Sequence, residues 1–307
     1  MLYVLEVDDE LVLVDAGWNA ESSFARLSEG LRQAGLDVAA ISGVLLTHLH
    51  PDHCGLAARV RELTGAWIAA HPREVEAARY RHGASARFLT DLADWLPLAG
   101  VPAADSEELL AARQSLGDDA PVLEIDVSLD DHSTIELCDR TLESVLTPGH
   151  SPGHLCFHDA EHATLFAGDV VLPKRLPPIG SFTFDGAGDP VATFFASLDR
   201  VSELDGSLVL PGHGKPFVGP RADADRIRQH HERRMSRLAE LLQQGPATVW
   251  QAALQTPWTR PWGELPRFAQ LLGLGKVNAH LTALTNRGVV RRHDGDPMVF
   301  ALAGQAA

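Results

Sequence analysis

The sequence predicts an α/β fold followed by a helical tail. Three observations carry this prediction. Over the first two thirds of the chain, short apolar runs alternate with segments of helical spacing, the pattern of an α/β protein. Several of those runs end in histidine or aspartate beside glycine. Beyond residue 220 the spacing is helical until a closing hairpin.

The length of 307 residues exceeds one average domain, so a large domain with a smaller one is expected. Hydrophobic residues make up 45%, enough for a substantial core, and charged residues make up 22%. The net charge of −15 argues against a simple nucleic-acid binder. It is unevenly spread. Residues 221–307 hold 12 Lys and Arg against 7 Asp and Glu, a net +5, which leaves 14 against 34, a net −20, in the rest. We therefore expect two domains, 1–220 and 221–307, with different partners. No apolar run reaches the ~18 residues of a membrane span, so no membrane partner is expected. The start, "MLYVLEVDDE", lacks a basic region before an apolar stretch, so a cytoplasmic protein is expected. Cys54, Cys138 and Cys156 form no CxxC pair. They read as small buried hydrophobes in a reducing compartment, with Cys54 placed next to His53.

"LYVLEVDDELVLVDAG" reads as two strands around an acidic turn. Residues 22–36 read as a helix stopped by Gly35. "ISGVLLT" is a short strand, 55–64 a helix and "AWIAAH" a strand. Residues of about 72–117 read as an inserted helical cap. Strands resume at "TIELCD", "TLESVLTPGH", "HLCFHD" and "TLFAGDVVL", followed by a helix over 190–204 and the strand "SLVLPGHG". A long basic helix is expected from Asp223 to about Gln244, with His230 and His231 as surface or interface residues. Two more helical stretches follow, the last ended by Gly288, then a hairpin turning at Asp294–Pro297. Helices closed by a ribbon point to a winged-helix-like domain.

The chemistry is concentrated in "LLTHLHPDHCG", residues 45–55, which places His48, His50, Asp52 and His53 just after a strand. His150 in "LTPGHSPGH", Asp169 in "LFAGDVV" and His213 in "LVLPGHG" occupy similar positions. Neutral imidazole and carboxylate both direct a lone pair at a cation, and Zn²⁺ accepts both. On an extended segment His48, His50 and Asp52 would point one way and His53 another. One loop could then feed two neighbouring metals, and seven donors suit a pair sharing a carboxylate.

These residues resemble the metallo-β-lactamase fold superfamily. "HLHPDH" is similar to its HxHxDH signature, and His150, Asp169 and His213 to its later ligands. "VDAG" at 14–17 is similar to its early Asp-x-Gly motif. The resemblance covers about residues 1–220 and implies an αββα sandwich with the site at one edge of two sheets. It implies His48, His50 and His150 on one metal, Asp52, His53 and His213 on the other, and Asp169 bridging. It also implies that Asp15 supports a ligand without binding metal. His154 is read in the same supporting role, because seven ligands fill the site. The helical tail resembles the branch that contains lactamase-β-like protein 2; glyoxalase II has a similar core with a different tail. The resemblance also implies a further strand ahead of the first hairpin, whereas this sequence starts inside what should be the second strand; either the gene start lies further upstream or the strand is lacking, and a missing strand would leave an exposed sheet edge.

The expected function is hydrolysis by a hydroxide held between two Zn²⁺ ions, with Fe or Mn also compatible with the donors. Asp52 is the candidate proton acceptor. Lys174 and Arg175 are candidates for an anionic substrate group, and Arg73, Arg79, Arg81 and Arg87 for the entrance. The acidic body and cap favour a small thioester, ester or lactone as substrate. The resemblance also implies an alternative, a single-strand-specific endoribonuclease with RNA held by the basic tail. A third reading is an inactive binding module. The tail can equally serve as a homodimer contact, and β-lactam hydrolysis does not follow from the fold.

Overall fold

The structure is a computed structural model that describes residues 1–8, 10–81, 87–115, 123–138, 140–179 and 188–305. Parts of the predicted helical cap, 82–86 and 116–117, lie outside the described residues. The chain forms two compact units. One comprises Met1–His82, Ala120–Pro177 and Ala196–Asp225; the other comprises Gly83–Asp119, Pro178–Phe195 and Arg226–Ala307.

The first unit is built on two sheets. The opening hairpin pairs β1 (Tyr3–Val7) with β2 (Glu10–Val14), antiparallel from Tyr3 opposite Val14. β3 (Ile41–Leu45), β4 (Trp67–Ala70) and the two-residue β5 (Val127–Ser128) then join in parallel, in the order β1-β2-β3-β4-β5. β1 is the first strand in that order. Helix α1 (Glu21–Gln33) ends before Gly35, whose φ of +79° suits glycine. The short α2 (Pro51–Cys54) and then α3 (Ala57–Thr64) follow β3, and α4 (Pro72–Arg81) follows β4.

The second sheet has the order β11-β10-β9-β8-β7-β6. It contains β6 (Thr134–Leu137), β7 (Arg140–Leu146), β8 (Leu155–Asp159), β9 (Thr164–Gly168), β10 (Leu208–Pro211) and β11 (Phe217–Val218). Alternation along β2 shows how the layers are sealed. Leu11 and Leu13 face a core with Leu27, Leu31 and Val60 of the helices, while Val12 and Val14 face Leu142, Leu155 and Phe157 of the second sheet.

In the second unit, α5 (Arg87–Leu98) and α6 (Ala103–Gln114) meet at a turn that anchors the tail. The Ala99 carbonyl accepts from Trp250 N–H at 2.9 Å and the Leu98 carbonyl from Met298 N–H at 2.9 Å. The helical stretch read as one cap is therefore divided, with α4 in the first unit and α5 and α6 in the second. The unit also holds most of α8 (Arg221–Leu242), α9 (Val249–Gln255), α10 (Arg267–Asn286) and the ribbon β12 (Val290–His293) with β13 (Val299–Leu302). α9 starts with a capping box, since Thr248 accepts from Gln251 N–H and Gln251 accepts from Thr248 N–H. α10 runs through Gly273 because a Cβ there would stand 2.9 Å from Trp262. α7 (Pro190–Glu203) spans the division between the units.

Two expectations are corrected. Cys138 is exposed, because it sits at φ +47° in the tight turn between β6 and β7 rather than on an inward strand position. His231 is buried between α8 and α10, not on the surface.

Candidate metal centre

The centre is assembled from the ends of β2, β3, β7, β9 and β10. After β3 the chain continues extended through His48 to His50, whose φ and ψ are −73° and 146°. Pro51 then starts α2, as its fixed φ favours. This corrects one detail of the strand reading. Asp52 and His53 belong to a helical turn, so alternation stops at His50 and both face the same group as His213.

Three imidazole nitrogens converge. His48 Nε2 lies 2.9 Å from His50 Nδ1 and 3.3 Å from His150 Nε2, and His50 Nδ1 lies 3.0 Å from His150 Nε2. Two nitrogens on one tetrahedral zinc would stand ~3.3–3.4 Å apart, given Zn–N of ~2.0–2.1 Å. Asp52, His53 and His213 form a second group, with His213 Nε2 at 3.1 Å from Asp52 Oδ2 and His53 Nε2 at 3.8 Å from the same oxygen. Asp169 lies among all three rings. Its Oδ1 is 3.5 Å from His53 Nε2, and its Oδ2 is 3.4 Å from His213 Nε2 and 3.8 Å from His150 Nε2.

The donors fit a cation. His53 Nε2 and Asp169 Oδ1 are buried with no hydrogen-bond partner among the described residues, a costly arrangement unless something occupies the space between them. Burial, and then the neighbouring imidazoles, hold His48 well below the ordinary histidine pKa; burial, then His150, do the same for His50, so both rings are neutral and offer lone pairs. The opposite holds at the second group. Hydrogen bonds to Asp169 and Asp52 push His213 up to about 9. Burial alone would raise the Asp169 carboxyl, but His213, His150 and His53 outweigh it and hold it low. The carboxylates thus draw positive charge into the space that a metal would fill.

Asp15 and Thr47 orient the ligands. Asp15 stands at φ +61° at the end of β2, an uncommon conformation that aspartate tolerates better than most residues. Its Oδ2 accepts from His53 Nδ1 at 2.7 Å, and both carboxylate oxygens lie 3.0 Å from the Thr47 hydroxyl. Thr47 Oγ1 in turn lies 3.0 Å from His48 Nδ1. A proton on each Nδ1 leaves Nε2 free for a metal. His154 has a different position. Its Nε2 accepts from the Asp169 backbone N–H at 3.0 Å and its Nδ1 donates to Thr147 at 2.8 Å, so it fixes Asp169 instead of joining the donors. Burial lowers its pKa to about 3, which keeps that acceptor available. Gly212 is required by space, since a Cβ there would lie 2.4 Å from Asp169 Oδ1.

Lys174 and Arg175 are exposed, and neither lines the cleft beside Asp52 and His213. Arg81 of α4 places a guanidinium nitrogen 3.4 Å from His50 Nε2, while Arg73, Arg79 and Arg87 are exposed. With His50 Nδ1 turned to the other rings, Nε2 carries the proton, so the Arg81 contact is proximity of charge and not a hydrogen bond. Sequence reasoning missed Glu74. This buried carboxylate accepts from Leu49 N–H at 2.9 Å and from Gly153 N–H at 2.7 Å, tying the two histidine loops together. A cleft of about 570 Å³ opens beside Asp52 and His213 and runs along Trp18, Leu27, Leu31 and Leu36.

Comparison with known proteins agrees with this geometry. The chain is 24% identical over 281 residues to the probable metallo-hydrolase YqjP of Bacillus subtilis (strain 168), covering 80% of this chain and 77% of that one. It is 30% identical over 229 residues to the acyl-coenzyme A thioesterase MBLAC2 of Bos taurus, covering 72% and 75%. The crystal structure of a metallo-beta-lactamase family protein from Thermus thermophilus superimposes with a TM-score of 0.82 at 28% identity, over 98% of this chain and 93% of that one. The profile of the metallo-beta-lactamase superfamily matches residues 2–213, and the chain, a metal-dependent hydrolase, belongs to that superfamily.

Proposed function

We propose that the protein hydrolyses a small acyl thioester at a pair of zinc ions. The observation that carries this reading is the apolar cleft that begins at Asp52 and His213 and continues past Trp18 and Leu31. Its polar end abuts the donor cluster and its apolar wall suits an acyl chain. The thioesterase named among the relatives supports the same substrate class.

In this reading His48, His50 and His150 would hold one zinc and Asp52, His53 and His213 the other, with Asp169 near rings of both groups. A zinc pair, when bound, acidifies a water molecule and polarises the attacked carbonyl. Asp52 accepts the proton. Burial alone would raise its carboxyl, but the His213 hydrogen bond and then His53 outweigh burial and keep it below the usual range, hence ionised. Arg81 holds positive charge beside His50 for an anionic part of the substrate. All seven proposed donors lie in the first unit, which we take as the catalytic part, with the tail beyond it as a winged-helix-like module.

The test is thiol release from short-chain acyl thioesters by zinc-loaded protein, with Asp52→Ala as control and a single-stranded RNA run in parallel. We expect thioester hydrolysis that falls at least 100-fold in the variant. RNA cleavage dependent on Asp52, without thioester hydrolysis, would overturn the substrate assignment.

A further inference from the structure

The second unit contains a group of cations that the metal centre does not explain. Arg234 and Arg237 on α8 line a pocket of about 30 Å³ together with His280 of α10, Gln255 and Thr256. That volume exceeds the ~10–15 Å³ needed for one water. Lys276 lies one turn before His280, whose Nδ1 donates to the Lys276 carbonyl at 2.6 Å. Arg234 is half-buried and stacks on Trp258, 4.7 Å from the ring centre. Among the described residues, no carboxylate lines the pocket. Glu232, on the same helix, is engaged elsewhere, accepting from Arg287 at 2.9 Å.

Arg234, half-buried, and Arg237, exposed, stand one turn apart at a pocket whose lining holds no carboxylate, an unfavourable pairing of like charges. The groups feel one another. Burial, then Arg237, lowers Arg234, and burial, then Arg234, lowers Lys276. His280 is buried and neutral, lowered by burial and also by Arg234. An anion would relieve this repulsion. Its shape follows from the lining: two guanidinium forks one turn apart on α8, with Gln255 and Thr256 beside them, suit a tetrahedral oxyanion with several acceptor oxygens.

We propose that Arg234 and Arg237 form a binding site for the terminal phosphate of a small phosphorylated molecule, separate from the metal centre.

The experiment uses the full-length zinc-loaded protein and sodium phosphate as the probe, titrated at constant ionic strength against sodium chloride. Thermal unfolding is followed for the wild type and for Arg234→Gln combined with Arg237→Gln. These changes remove like-charge repulsion, so the variant is expected to fold, and circular dichroism checks this. We expect phosphate to raise the wild-type Tm in a saturable manner. In the variant, half-saturation should need at least tenfold more phosphate. An equal response in both proteins would locate the phosphate at the metals and overturn the proposal, as would no response in either. A single-stranded RNA 20-mer serves as the third arm. RNA binding that tightens with length and is lost in the variant would replace the proposal with a polyanion groove.

Discussion

Glu74 shows how much of the centre depends on a residue that binds no metal. Its two oxygens accept from backbone groups in separate loops, Leu49 N–H beside His48 and His50, and Gly153 N–H beside His150 and His154. Removing the carboxylate leaves two buried donors unsatisfied, at ~1–3 kcal/mol each. Glu74→Gln retains one acceptor and turns an amide NH₂ towards the other donor. We expect it to lower stability by about 1–3 kcal/mol in urea unfolding, and to weaken zinc binding about tenfold or more, as lost support of ligands commonly does. Unchanged urea midpoint and zinc affinity would remove Glu74 from this role. In the sequence it stands in "HPREVEAARY" among other charged helix residues, with nothing local to mark it. Its function comes only from the packing of α4 against two distant loops. The metal donors differ, because each follows an apolar run and carries its own glycine.

At the scale of elements, α8 and α10 are joined by a polar contact inside an apolar interface. His280 Nδ1 donates to the Lys276 carbonyl, so its Nε2 accepts from His231 Nδ1 at 3.0 Å, leaving His231 Nε2 buried without a partner among the described residues. Burial holds both rings below the ordinary histidine pKa, with His280 adding to it for His231 and the hydrogen bond to the Lys276 carbonyl only partly offsetting it for His280. A ring neutral in the fold and protonated in the unfolded chain makes the unfolded state bind more protons below ~6.5. Stability from this pair is therefore complete above about pH 6.5 and declines as pH falls below it. Urea midpoints at pH 7.5 and 5.5 should show a drop, and His231→Gln with His280→Gln should make that drop smaller. An identical drop in the variant would assign the acid sensitivity to other groups, such as the buried His48, His50 and His154. The helices themselves were readable from their spacing. β5 and β11, with two residues each, were not, because two residues cannot display a period.

For the whole molecule, the two-sheet layering was legible only through the family resemblance of the ligand motifs, because Leu11, Val12, Leu13 and Val14 are all apolar in sequence and divide between two cores only once folded. The grouping of α5 and α6 with the tail was not readable, since it depends on bonds such as Leu98 to Met298 between segments far apart in sequence. The sheets also determine what metal removal should do. His48, His53, His150 and Asp169 are buried and held in place by β-strand ends, Asp15, Thr47 and His154, so they cannot relax outward when the cation leaves. Three lone pairs then face one another across 2.9–3.3 Å, with Asp169 Oδ1 buried and, among the described residues, unpartnered beside them. Metal bound only by the folded state stabilises it by ~2.7 kcal/mol at a concentration 100 times Kd. Exhaustive chelation should therefore lower Tm by about 5 °C or more, and zinc should restore it. The restoration should saturate near two equivalents if both donor groups bind, and near one if they act as a single site. A melting temperature indifferent to chelator and zinc would mean that the seven donors are stable as a hydrogen-bonded cluster, and the proposed metal pair would fall with it.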